Sequence, residues 1–504
     1  MLIALLEEVC RLKKIKSSTL IILILSVLLV GCSKETKKEV VSTTTEAVVT
    51  TPTEDSVTLT TTVEAEPETT KATPDWADKA VIYEVNVRQY TAEGTFNAFS
   101  EHLERLKELG VNTLWFMPIY PISETNRKGT LGSYYAISDY TAINPEFGTL
   151  EDFKALVAKA HEMGFKVVLD WVANHTGWDS TWILEHPDWY LQNESGEIVC
   201  PPGTDWDDVA QLNFESTDLR QEMIKSMKYW VEEIDVDGFR CDYAIGVPLD
   251  FWEAAREELT SVKEVYMLAE DDQSKSFLLK AFDSNYNWKF FQNVTSVAKG
   301  TKKASTIEDY INRNNVLPEG SFPINFIDNH DENSWNGTIQ SRLGDEPVNA
   351  ITALIFTMPG APLIYSGQEA GLNKSLQFFE KDEIEWSNFP YSDIISKLCD
   401  IKINNPALYN GIGGKLQFVE QDNVNVIAFE RTKDDNKITV IINMSKDNQV
   451  FTLDTSNLLD SDILLHGIGA DKTNDTIEKA SSETLNTLKS LSPWEFYIFS
   501  TKLN

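Results

Sequence analysis

Positive charge, histidine and cysteine are all scarce in this sequence. Lys and Arg total 44 against 78 Asp and Glu, a formal net charge of −34. Nucleic-acid binding rests on cations that neutralise phosphates, so nucleic acid is excluded as a partner; beyond solubility the charge says little else. The five cysteines, Cys10, Cys32, Cys200, Cys241 and Cys399, have neither the spacing of a metal knuckle nor that of a disulfide framework. No glycine-rich phosphate loop follows a first strand, which argues against a dinucleotide enzyme. The apolar run over residues 20–30 is too short for a comfortable membrane span.

What is there begins with an unusual N-terminus. Lys13, Lys14 and Lys16 precede that apolar run, the arrangement of a signal peptide. The run ends in LVGCS, residues 29–33, which resembles a bacterial lipobox. The resemblance implies that Cys32 carries a lipid and becomes the mature N-terminus; the competing reading is a simple N-terminal anchor helix. Residues 1–12 are then an upstream start or a long n-region. Residues 33–75 are rich in Thr, Val and Glu with no helical period, the composition of a disordered tether. The expected location is the extracytoplasmic face of a cell membrane, lipid-anchored on a stalk.

From residue 80 a strand-then-helix rhythm sets in. VIYEVNV (81–87), TLWFMP (113–118) and VVLDWV (167–172) read as buried strands. Between them, residues 96–110 place Phe96, Phe99, Leu103, Leu106 and Leu109 on one helical face before Gly110. Residues 149–164 do the same with Phe153, Leu156, Val157, Ala160 and Met163 before Gly164. The pattern continues with a helix over 219–234, a strand at GFRCD (238–242), a helix over 248–260 and a strand at VYMLAE (265–270). A sixth unit falls near 278–300; INFIDNHD (324–331), a helix over 348–358 and APLIYSG (361–367) complete eight. Alternating units of this kind predict parallel strands buried under helices, and eight suit a (β/α)8 TIM barrel, with a short insert after strand 3 over 176–212. After about residue 411 helices give way to VNVIAFER (424–431), KITVIINM (437–444) and WEFYIFS (494–500), which predict a C-terminal antiparallel β-sandwich domain. The expected organisation is a leader over 1–32, a tether over 33–75, a barrel over 76–410 and a β domain over 411–504.

In such a barrel the active site lies at the C-terminal ends of the strands. There fall Asp170, Asp242, Glu270 and Asp331, with Asn174, His175, Arg240, Asn329 and His330. Two of only six histidines thus sit beside carboxylates. Converging carboxylates mean a metal site or paired acid/base chemistry, and Arg240 at the centre argues against the metal. Glycoside hydrolysis needs one carboxylate ionised and one carboxyl protonated. Arg240, two residues before Asp242 on a strand and so on the same face, is expected to hold Asp242 charged, leaving Glu270 with the raised pKa. Cys241 faces the other way and reads as a small buried hydrophobe.

Four segments in order, LDWVANHT (169–176), GFRCDYA (238–244), MLAED (267–271) and FIDNHD (326–331), resemble the α-amylase family, glycoside hydrolase family 13. The resemblance covers about residues 78–504. It implies that Asp242 is the nucleophile, Glu270 the general acid/base and Asp331 a third carboxylate that binds sugar hydroxyls. It implies that Arg240 partners the nucleophile, that His175 and His330 hydrogen-bond the sugar, that Asp170 supports the cluster and that Tyr135 stacks on the sugar. QLNF (211–214) resembles a further family motif. Two departures stand out. Ile245 and Gly246 replace a Lys-His pair common in the family, which leaves the leaving-group side open. A calcium ion frequent in the family implies Asn174 with an insert aspartate as ligands, and Asp205, Asp207 and Asp208 are the candidates; a solvated acidic loop is the alternative. No cofactor is required for the chemistry.

The function so implied is retaining hydrolysis of α-1,4-glucosidic bonds in starch-like glucans. An α-glucosidase, a cyclomaltodextrinase or neopullulanase, or a transglycosylase of the same family stays open, because loops decide subsites. A non-catalytic glycan-binding protein is the rival of another class, and retention of all three carboxylates weighs against it. The expected partners are an α-glucan and, through the lipid, a membrane; the sequence does not speak to oligomeric state.

Overall fold

Eight short strands, nearly all of their residues buried, close on one another into a parallel barrel. They are β1 (Ile82–Val85), β2 (Thr113–Phe116), β3 (Lys166–Trp171), β4 (Gly238–Cys241), β5 (Tyr266–Ala269), β6 (Ser284–Tyr286), β7 (Phe322–Asn325) and β8 (Ala361–Tyr365). Each pairs with its neighbour in sequence, and β1 closes the ring against β8. The computed structural model describes residues 73–314, 317–470 and 478–502. The expected leader, Cys32 and nearly all of the tether lie outside the described residues.

Helices cover the barrel as their apolar stripes require. The helix Leu150–Glu162 starts with a capping box, Thr149 and Asp152 exchanging side-chain and backbone bonds. It stops at Gly164, whose φ of 87° suits only a residue without a side chain. Phe153, Leu156, Val157 and Ala160 are its buried face, as the spacing predicts. The helix expected over 96–110 is instead two, Phe96–Ser100 and Leu103–Leu109. Between them the backbone tightens to three-residue hydrogen bonds, Glu101 N to Ala98 O and His102 N to Phe99 O, and the His102 ring packs edge-on to Tyr90.

The sixth unit is legible once its strand is seen to be polar. Ser284 and Asn285 are both buried, Ser284 bonded to the Tyr266 hydroxyl, and two helices, Trp288–Ala298 and Ser305–Asn314, follow. β7 ends at Asn325, so the FIDNHD segment is the loop over the barrel mouth rather than strand. The insert is tied at its base by an antiparallel pair, His175–Gly177 with Val209–Gln211.

The C-terminal region is a six-stranded antiparallel sheet with a small two-stranded ribbon, Gln449–Val450 with Ser490–Leu491. Its strands alternate between two cores. Ile427, Phe429, Val440, Ile442, Phe496 and Ile498 join the barrel's core, while Val426, Ala428, Ile441, Tyr497 and Phe499 pack under the ribbon and its loops. The second layer of the expected sandwich is this ribbon and its loops. The junction with the barrel is held by two buried cations that face carbonyls rather than acids. Arg431 donates to the carbonyls of Thr357, Met358, Leu408, Tyr409 and Gly414 at 3.0–3.3 Å. Lys402 Nζ donates to Gly360 O and Leu408 O at 2.8 and 2.5 Å. Burial pushes Arg431 down to about 9 and Lys402 well below the ordinary lysine value. Replacing Arg431 by Met takes its donors from the carbonyls of Thr357, Met358, Tyr409 and Gly414, while Leu408 O keeps Lys402; at about 1–3 kcal/mol per buried orphan, the expected outcome is a fall of several degrees in Tm by calorimetry. An unchanged Tm contradicts the role assigned to this side chain.

Candidate active site

The site grows from Arg240, which is fully buried in the middle of β4. β4 can lie close to β5 because Gly238 has no side chain: a Cβ there would stand 2.1 Å from Tyr266 O. Arg240 Nη1 lies 2.9 Å from Asp170 Oδ1 and 3.0 Å from Asp242 Oδ1, and Nη2 lies 3.0 Å from Glu270 Oε2. Its Nε donates to the Tyr286 hydroxyl at 3.2 Å, and the Trp115 ring centroid is 5.1 Å from the guanidinium carbon. Asp242 and Glu270 stand one residue beyond their strands, where the ladder still holds them: Asp242 N donates to Trp171 O at 2.9 Å and Glu270 N to Cys241 O at 3.0 Å. Cys241 is buried on the opposite face, as expected.

The electrostatics correct one expectation. Arg240 does not simply keep Asp242 ionised, because one guanidinium is divided among three carboxylates. Burial, then the charge of Glu270, raises the Asp242 carboxyl well above the usual range against the pull of Arg240. Burial likewise pushes Asp170 up to about 6, although Arg240 and His330 oppose it. Both shifts favour a proton within the cluster over full ionisation, the direction that acid catalysis requires.

A second chain of groups runs across the mouth. Burial opposes charge on His330, but Asp331 and Glu84 outweigh it and lift the ring to about 9. The charged ring donates from Nδ1 to Glu84 Oε1 at 2.5 Å and from Nε2 to the Tyr135 hydroxyl at 2.8 Å. Tyr135 in turn donates to Asp170 Oδ2 at 3.1 Å, and its ring stacks on His330 at 5.5 Å. His175 is the opposite case: burial lowers it to about 4, so it stays neutral, accepting from Asn174 Nδ2 at 3.2 Å. Asp331, with 37% of its side chain exposed, is the most open of the three carboxylates.

These groups line a cavity of about 560 Å³. Tyr135, His175, Asp242, Glu270, His330 and Asp331 all face it, so the expected catalytic and sugar-binding residues converge; Asp170 and Arg240 form the layer beneath. On one side Tyr243 donates its backbone N–H to Glu270 Oε2 at 2.8 Å, in a left-handed conformation with φ of 39°. The ring of Tyr243 occupies the space of a missing side chain, since a Cβ on Gly246 would lie 2.5 Å from it. Gly246 in place of the family's His thus leaves room for this ring, while Ile245 stands exposed. Trp206 of the insert meets the Tyr243 ring edge-on at 5.6 Å. Trp335 and Phe378 also line the cavity, their rings 5.3 Å apart.

Of the candidate metal ligands, Asn174 does not meet the insert aspartates by any hydrogen bond; its amide pairs with Gln211, and Asp207 and Asp208 pair with Lys128. Among the described residues no group of three or more His, Cys, Asp or Glu side chains is arranged to hold a metal ion. The sequence reading missed Glu84, Trp115, Tyr286 and Lys128, and saw Gln211 only within the QLNF motif, without its pairing to Asn174. A glutamate inside the otherwise apolar VIYEV was the available signal for the first.

A family model described as the alpha-amylase catalytic domain matches residues 68–197 and 189–449. The crystal structure of a maltogenic alpha-amylase from Thermotoga neapolitana is similar with a TM-score of 0.73 and 30% identity, over 85% of this chain and 99% of that one. An alpha-amylase from Lactobacillus plantarum gives 0.74 and 31%, over 84% and 99%. An alpha-amylase of Haloarcula japonica is 27% identical over 395 residues, 74% of this chain, which spans only 56% of that protein's length.

The paired histidines give a direct test. With six histidines in the chain, ring resonances are assignable by substitution, and an NMR titration is expected to show His330 losing its proton near pH 9 and His175 gaining one only near pH 4. Since the His330 value lies above that of a free ring, the stability it adds is complete below pH 6.5 and is lost as pH rises through about 9. Two rings titrating together near the ordinary value contradict this electrostatic picture.

Proposed function

Because this chain belongs to the alpha-amylase family and is an enzyme acting on α-glucans, we propose that it is a retaining endo-hydrolase of α-1,4-glucosidic bonds in starch-like polymers. The observation that carries the reading is the shared guanidinium: Asp242 and Glu270 bind adjacent nitrogens of Arg240 at the floor of one cavity. Retaining chemistry needs two carboxyls at close range, about 5–5.5 Å apart, with a proton between them.

Glu270 gives the proton to the glycosidic oxygen as the bond to C1 breaks. Asp242, ionised once that proton has gone to Glu270, attacks C1 and forms a β-glucosyl ester. Glu270, now a base, takes a proton from water, which displaces Asp242 and restores the α configuration. Asp331 accepts hydrogen bonds from sugar hydroxyls, and protonated His330 adds a positive charge beside them. Tyr135 offers the sugar a flat apolar face. Two aromatic pairs line the cavity, Trp206 with Tyr243, whose backbone N–H touches Glu270, and Trp335 with Phe378, which favours a chain that lies across the site over a short substrate that ends in it. The Glu270 side also offers a sugar acceptor a surface to stack on, so transglycosylation is the second reading. Lipidation at Cys32 and the Thr-rich tether complete the proposal: the enzyme works outside the membrane, on a polymer too large to import.

Incubating the portion from about residue 75 with starch and following early products by proton NMR tests the reading. Short maltooligosaccharides that appear first as α-anomers are expected; initial β-anomers, or glucose alone from short substrates, contradict it. Asp242→Asn is expected to lower kcat by at least about 10⁴-fold with an unchanged circular dichroism spectrum. Because burial and Glu270 raise the Asp242 carboxyl, kcat/KM is expected to fall on the acid side from a pH above the usual carboxylate range.

A further inference from the structure

Lys128, on the loop after β2, reaches across to the insert. Its Nζ lies 3.0 Å from Asp207 Oδ1 and 3.1 Å from Asp208 Oδ1, and it donates to the backbone carbonyl of Asp205 at 2.9 Å. Two carboxylates and a carbonyl around one centre are the donors a calcium ion takes, but calcium takes them at about 2.3–2.6 Å, whereas these lengths are those of charge-assisted N–H···O bonds. The other half of the expected ligand set is engaged elsewhere. Gln211 Nε2 donates to Asn174 Oδ1 at 3.1 Å, and Asn174 Nδ2 donates to Gln211 Oε1 at 3.2 Å, a reciprocal amide pair. Gln211 also bonds the backbone carbonyl of Asn174 at 3.0 Å. The residues present therefore do not fit the family's calcium ion: one half of the set meets an ammonium and the other a neutral amide.

The clamp has a consequence for the cavity. Asp208 is buried, so its charge needs a partner. Between the clamped residues sits Trp206, whose ring faces Tyr243 at 5.6 Å and His175 at 5.7 Å. The main chain around it is further held by Trp178, which donates to Asp207 O at 2.9 Å. Fixing Asp205, Asp207 and Asp208 fixes Trp206 on the Glu270 side of the cavity, beside the backbone N–H of Tyr243 that touches Glu270.

We infer that Lys128 does here what a structural divalent cation does elsewhere: its ammonium joins the insert to the barrel loop and positions Trp206 as the wall against which the leaving-group sugar stacks. The stacking half of this inference rests on the glycosidase reading above; the clamp does not. Lys128 is a positioning residue, since it acts through Trp206.

Two measurements test it. In calorimetry of the portion from about residue 75, EDTA and added calcium chloride are expected to give the same Tm; a rise of several degrees with calcium overturns the inference, whatever the enzyme's substrate. Lys128→Met is expected to lower Tm in a way calcium does not restore, and Lys128→Arg to retain most of it. With maltoheptaose, the Met variant's loss is expected in KM rather than kcat, about fivefold, the worth of one aromatic contact. Trp206→Ala should show the same KM change, and the double variant no more than either single one. Additive effects overturn the positioning role, as does an unchanged KM in Lys128→Met. Should Lys128→Met fail to fold, Lys128→Gln takes its place in the cycle with the same KM outcomes expected, and a calcium-restorable loss of Tm in that variant counts against the clamp. If the wild-type protein leaves maltoheptaose intact, the glycosidase reading fails, and the two calorimetric arms still decide the clamp.

Discussion

One buried guanidinium organises the mouth of this barrel. Arg240 contacts Asp170, Asp242 and Glu270 at 2.9–3.0 Å, and no other cation of the described cluster lies so deep. A lone charge of this kind is costly away from water; three carboxylates surround it, and burial, helped at Asp242 by the charge of Glu270, pushes the Asp242 and Asp170 carboxyls towards their protonated forms. The rest of the layer serves the same balance. Trp115 donates to Asp170 Oδ2, Tyr286 accepts from Arg240, and His330 brings a second positive charge held between Glu84 and Tyr135. The site is thus poised by counting charges in a confined space rather than by any single strong pair.

The barrel makes that count reliable because the register of its strands is fixed. Asp170 and Arg240 are direct partners across β3 and β4, and Cys241 pairs with Ala269 one step before Asp242 and Glu270 leave their strands. A one-residue slip would turn Arg240 outward and Cys241 inward. Close approach of β4 to β5 at Gly238, and of the Tyr243 ring to Gly246, shows where the sequence gives up a side chain to allow the contact. The insert stands over this frame on two kinds of tie, the strand pair at its base and Lys128 on the residues that lead into that pair.

Much of this was legible in the sequence, and the limits were physical. Strand-then-helix periodicity placed the barrel, and the residues just past its strands named Asp242 and Glu270. The sixth strand was hidden because Ser284 and Asn285 are polar yet buried, so the apolar pattern that marks a strand is absent. The helix over 96–110 read as one because its apolar spacing survives the tight turn at Glu101 and His102. Partners that act across the fold left no local trace: nothing near Lys128 in sequence points to Asp207, and Gln211 was seen as part of a motif without its bond to Asn174. Charge division was the other blind spot. Arg240 beside Asp242 reads as a pair in sequence, and only the structure shows that Asp170 and Glu270 share the same cation.

The central claim is that Asp242, at the end of β4 and on Arg240, is the group that bonds to the sugar. The most direct measurement is trapping with a fluorinated α-glucosyl fluoride whose ester intermediate breaks down slowly, followed by mass spectrometry of the intact protein and of its peptides. One glucosyl adduct per chain, on the peptide that contains Asp242 and absent from Asp242→Asn, is the result expected. An adduct on Glu270 or Asp331, or turnover of the reagent with no adduct at any residue, contradicts the account.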